Sequence, residues 1–158
     1  MGEKVTYYSF AENDYWFLKA NVEEKRVSNA MCATAQNICE KYLKEIIKDV
    51  ANVTGDTDIM KTHSLKRLKR FIEVHVPEFE CNWSIVVPAD GYYFSARYPG
   101  EDSYFVNEED VEECWRAVQE TKRATDSYLE RVNEKIRTES ETLDLERHKR
   151  TLKQRMKR

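Results

Sequence analysis

The chain has 158 residues, with 26 Lys and Arg against 29 Asp and Glu for a formal net charge of -3. Its 41% hydrophobic content suffices for one core, while 4 Gly, 3 Pro and 35% charged residues argue against a strand-and-turn architecture. No run approaches the roughly 20 apolar residues of a membrane span, and no basic segment followed by an apolar run opens the chain, so a cytoplasmic all-α domain without membrane contact is expected.

The opening MGEKVTYYSF lacks helical periodicity, and Ser9 with Glu12 three residues on reads as a capping box for a first helix over 11–26. Tyr15, Trp16, Leu18, Ala20 and Val22 spread around that helix, as suits one packed between neighbours. The second helix is written by Ala35, Cys39, Tyr42, Ile46 and Val50, which recur at steps of three and four with Leu43 and Ile47 beside them. It stops at NVTGDTD, a loop signal. A third helix over 64–74 places Leu65, Leu68, Phe71 and Ile72 on one side and ends before Pro77.

Residues 78–106 are rich in aromatics and hold most of the Pro and Gly, and a connection of that length is functional or contains short elements of its own. Asn107, followed by Glu108, Glu109 and Asp110, caps a long last helix and places acids where the macrodipole favours them. Val111, Cys114, Val118, Thr121, Thr125, Tyr128 and Val132 give it an apolar stripe. From Ser140 only Leu143, Leu145, Leu152 and Met156 remain to bury, so a frayed or projecting helix is expected. The last twelve residues, RHKRTLKQRMKR, carry seven Lys or Arg and no acid, leaving the rest of the chain acidic. The reading is thus an antiparallel up-and-down bundle of about four or five helices over 1–137, followed by a basic helical or flexible tail over 138–158. The cysteines Cys32, Cys39, Cys81 and Cys114 lack C-x-x-C spacing and read as reduced thiols, and neither a metal site nor a cofactor is expected.

Four segments occur in an order that is specific. YWFLKA lies in the first helix, AQNICEKYLKEII in the second, KTHSLKRL at the start of the third and YYFSARYPGE before the last. Over about residues 8–135 the chain resembles the HEPN family. Ala35, Gln36, Glu40, Lys41, Leu43 and Lys44 match its A-Q-x-x-x-E-K-x-L-K-like run, Thr62, His63, Ser64 and Leu65 its T-H-D-L-like segment, and Ala96, Arg97, Tyr98 and Pro99 its A-R-Y-P-like segment. Ser64 stands where the family commonly has Asp, and either residue caps a helix.

The resemblance implies a helical bundle that forms homodimers and serves as a nucleotide- or RNA-binding module, with a small nucleotidyltransferase as partner, or as a metal-independent ribonuclease of the toxin-antitoxin kind. A purely structural dimerisation module is the remaining alternative. The family's nucleases pair an Arg with a His four to six residues on, where His moves the ribose 2′-hydroxyl proton and Arg stabilises phosphate charge. Arg97 is matched, but no His follows it in that window. Arg70 and His75 meet the spacing away from the family's position, and Arg97 with Tyr104 is the other departed pair. The catalytic candidates are therefore Arg97, Tyr104 and His75, and enzymatic activity is not favoured.

As a binding site, Arg97 takes phosphate with Tyr98 and Tyr104 offering stacking faces or hydroxyls, or else it pairs with Glu101 or Asp102. His63 contacts ligand or hydrogen-bonds backbone at a helix entrance. Lys41 and Lys44 face a phosphate groove or are solvated. The basic tail attracts a polyanion or keeps the chain soluble, and without interleaved aromatics it is not suited to base stacking.

Overall fold

A computed structural model describes residues 4–157; the reading of the opening segment at residues 1–3 and of the tail at residue 158 lies outside them. The described residues are helical, with no strand among them. Helix α1 spans Tyr7–Glu23 and α2 Asn29–Thr54, α3 spans Leu65–His75, the short α4 and α5 span Trp83–Val86 and Tyr92–Ser95, and α6 spans Glu108–Met156. Single 3-10 turns occupy Ile59–Lys61 and Val87–Gly91. The chain divides into two compact units, Met1–Thr125 and Asp126–Arg158.

In the first unit α1 starts four residues earlier than the sequence suggests. Thr6, not Ser9, is the cap: its side chain accepts from the Ser9 N–H, and the Ser9 hydroxyl accepts from the Thr6 N–H. Ser9 is the reciprocal partner of the box, in the place usually taken by Glu or Gln. Helix α2 ends at Gly55, whose φ of 74° is the left-handed conformation that stops a helix cheaply only at glycine.

Helix α2 is the axis of the core. Ala35, Ile38, Cys39, Tyr42, Leu43 and Ile47 are fully buried, which is the stripe that the apolar spacing marks. Helix α6 meets it through its own stripe of Val111, Cys114, Ala117, Val118, Thr121, Ala124 and Thr125, and the Thr121 hydroxyl reaches Cys39 Sγ at 3.4 Å. Tyr15 of α1 stacks on Trp115 of α6 at 5.4 Å. Lys122 stands among the rings of Tyr8, Tyr15 and Tyr42 and pairs with Glu12, which also accepts from the Tyr42 hydroxyl. A cation held against aromatic faces and one carboxylate joins three helices without leaving its charge unpaired.

The aromatic-rich connection is not a loose loop. Its 3-10 turn brings Asp90 to the start of α3, where its carboxylate accepts from the Leu65 N–H at 2.7 Å and the Lys66 N–H at 3.3 Å, while Ser64 accepts from the Arg67 N–H. The carboxylate that the family commonly has at the position of Ser64 is thus supplied from 26 residues further on. Asn107 and Asp110 cap α6 reciprocally, each side chain accepting from the other's backbone N–H.

The second unit is the remainder of α6. The tail is helical through Met156 rather than frayed, and every described side chain from residue 133 onward is exposed.

Candidate functional site

Three residues spaced four apart on α2, namely Gln36, Glu40 and Lys44, share one helix face, and all three are buried, at 0%, 5% and 5% exposure. Polar groups survive there because each is matched. Gln36 Nε2 donates to the His63 carbonyl at 2.7 Å, and Glu40 Oε1 lies 2.8 Å from His63 Nδ1. The second oxygen, Glu40 Oε2, accepts from Lys44 Nζ at 3.1 Å. Within this row of three, Gln36 Oε1 is left without a partner.

The row continues outward by stacking. The His63 ring lies on Tyr93 with centroids 4.4 Å apart and planes 12° from parallel, and the Arg97 guanidinium lies 4.7 Å from the same ring. Arg97 Nη2 also donates to the Ala33 carbonyl of α2 at 3.3 Å. Arg97 is therefore held by a carbonyl and an aromatic face, and neither Glu101 nor Asp102 pairs with it among the described residues. Its charge stays available at an exposed position.

Beside Arg97 is a groove of about 260 Å³ whose lining includes Asn29, Tyr98, Ser103, Tyr104 and Phe105. Tyr98 and Tyr104 are exposed, so both rings are open to a ligand, while the Tyr104 side chain is also hydrogen-bonded to Tyr92. The wall is fixed by Asn29, which donates to the Tyr104 carbonyl at 2.8 Å and accepts from the Val106 N–H at 2.9 Å. Behind it the Tyr92 hydroxyl donates to Asp110 at 2.8 Å. Burial, then hydrogen bonds with Tyr104 and Asp110, push that phenol far above its ordinary range, so it stays protonated.

The fold thus gathers Arg97, Tyr98 and Tyr104 at one groove and links Arg97 to His63 and Lys44 through Tyr93 and Glu40. His63 is not turned to backbone by its ring, and Lys44 is not solvated. Lys41 points elsewhere, to Asp14 of α1 at 2.6 Å and over Phe10 at 5.5 Å. His75 closes α3 against Phe71 at 4.2 Å. The residues that sequence reasoning left out of the site are Tyr93, Glu40, Gln36 and Asn29. Glu40 and Gln36 carried a signal, since polar residues at i and i+4 next to a buried stripe need partners.

No helix among the described residues is long and apolar enough to cross a membrane. No curated protein and no solved structure matches the chain. The model of the HEPN domain matches residues 7–128, which takes in α1 to α5, the groove and the first part of α6. The chain belongs to the HEPN-domain family of nucleotide- and RNA-related modules.

Proposed function

We propose that this chain is a non-catalytic binding module for a nucleotide or an RNA end, acting as a homodimer with a small nucleotidyltransferase as partner. The observation that carries the reading is the exposed Arg97 guanidinium, oriented by the Ala33 carbonyl and the Tyr93 ring at the edge of a groove lined by Tyr98 and Tyr104. A fixed guanidinium binds a phosphate in bidentate fashion, and the tyrosines supply faces for a base or donors for a ribose. Calorimetry with mononucleotides and short RNAs at low salt tests it: binding that Arg97→Ala weakens by about tenfold to a hundredfold is the expected outcome, and flat titrations across the panel would remove the reading. Sedimentation of the chain alone and with a candidate nucleotidyltransferase tests the assembly.

One observation favours a second reading, a metal-independent ribonuclease. With the proton on Nδ1 and Glu40 accepting it, His63 Nε2 is free to take a proton, and Arg97 lies across Tyr93 from it. This reading requires RNA cleavage that persists in chelator and is lost in both His63→Ala and Arg97→Ala; intact RNA after incubation with wild-type protein removes it.

A further inference from the structure

Residues 147–158 carry seven Lys or Arg and no acid, and every described side chain of the segment is exposed, on a helix that continues to Met156. Arg150 and Lys149 lie three and four residues before Lys153, so the three share one side of the helix, and Lys157 follows in the turn just beyond Met156. Among the described residues no ion pair engages Arg147, Lys149, Arg150, Lys153, Arg155 or Lys157. Cations in the last turn are favoured by the macrodipole, which accounts for Lys153 and Arg155. That effect fades beyond one turn and does not reach Arg147 to Arg150. Glu146, four residues before Arg150, is the acid nearest in sequence on this side of the helix; beyond it the like charges repel one another, and an external polyanion relieves that repulsion.

We infer that this helical segment binds the sugar–phosphate backbone of a polynucleotide, as a site separate from the Arg97 groove. The segment contains no aromatic residue, so it has nothing on which bases stack, and its contacts are with phosphate. A membrane surface fits it less well. An interfacial helix sets a broad apolar face with Trp or Phe against its basic one, whereas this segment and its approach offer only Leu145, Leu152 and Met156 near the cations. Binding is therefore tolerant of sequence and steeply dependent on salt, with each phosphate contact releasing a counterion.

The full chain is titrated by fluorescence anisotropy with a labelled oligouridylate and with a DNA duplex of equal length across a salt series, with phosphatidylserine vesicles as a third arm. Both polynucleotides are expected to bind. The triple variant Arg150→Gln, Lys153→Gln, Lys157→Gln is expected to reduce the slope of log affinity against log salt by about 2 on the single strand and to weaken binding at low salt by about tenfold or more. The charge-preserving triple variant Arg150→Lys, Lys153→Arg, Lys157→Arg is expected to retain both values, and unchanged helicity by circular dichroism establishes that the charges alone were altered. A wild-type slope in the Gln variant overturns the inference, as do binding confined to vesicles and binding confined to one of the two polynucleotides. Arg97→Ala separates the two sites. It is expected to weaken mononucleotide binding by about tenfold to a hundredfold while lowering the slope by no more than about 0.7, the share of one phosphate contact; loss of polynucleotide binding in that variant would assign the contacts to the groove and overturn the tail site.

Discussion

Glu40 and His63, 23 residues apart, meet at 2.8 Å between Oε1 and Nδ1, and the other oxygen of the same buried carboxylate holds Lys44. One side chain thus neutralises a lysine inside the bundle and orients an imidazole at its edge. Removing it should disturb both.

Glu40→Ala leaves the Lys44 ammonium buried without a counter-charge, which costs about 3 kcal/mol. The thermal midpoint is expected to fall by about 9 °C in a chain of this size. The double variant Glu40→Gln with Lys44→Met should recover most of that loss, because no unpaired charge then remains inside. Calorimetric unfolding of the two proteins checks the order.

Arg97→Ala acts on binding, not on folding. The side chain is exposed and gives up one long hydrogen bond and a ring contact, so the unfolding free energy should move by less than about 0.5 kcal/mol. Affinity for a nucleotide is expected to fall by about tenfold to a hundredfold, the value of a hydrogen-bonded charge. Arg97→Lys should restore little, since an ammonium neither lies flat on Tyr93 nor presents a fork. Isothermal titration of the three proteins separates these outcomes.

Asn29→Ala removes both bonds that pin the wall of the groove. The Val106 amide is expected to exchange its hydrogen much faster, by about tenfold, while amides in the middle of α2 keep their rates. Exchange measured by mass spectrometry on the native protein reads this directly.

Alkaline pH should weaken the fold through two thiols. Burial pushes both Cys39 and Cys81 from an ordinary value of 9.0 up to about 12. In the unfolded chain these thiols ionise near 9.0, whereas in the folded chain they hold their protons until about 12. Between those values the unfolded state binds fewer protons, so stability is fully present below pH 9 and is lost progressively as pH rises toward 12. Urea midpoints followed over that window should decline, and the decline should be shallower in Cys39→Ala with Cys81→Ala.

The helices were legible because burial of an apolar stripe repeats with the helical period. Ala35, Cys39, Tyr42 and Ile46 in α2 and Val111, Cys114, Val118 and Thr121 in α6 announce themselves in this way, and all are buried. The site was less legible, for the same reason. Lys41 and Lys44 read alike as groove-facing or solvated, and Gln36 and Glu40 were given no place in the site, because amphipathic spacing registers only polarity and does not say whether a polar face meets water or partners of its own. Those partners lie in stretches where periodicity is silent: His63 just before a helix, and Tyr93 in a helix of four residues. The start of α1 was misplaced because a Thr and a Ser three residues apart both qualify as a cap, and the reciprocal bonds between them decide it.

Tyr93 has His63 on one side of its ring and the Arg97 guanidinium on another approach, so its surface is already in use by the protein itself. If the proposed nucleotide binding holds, a purine or pyrimidine would find no vacant berth there and would be directed outward to Tyr98, Tyr104 and Phe105, where the chain keeps its unspent aromatic area. Discrimination among bases would then be the work of the outer rim, with the inner pile acting as the stay that keeps one cation aimed at it.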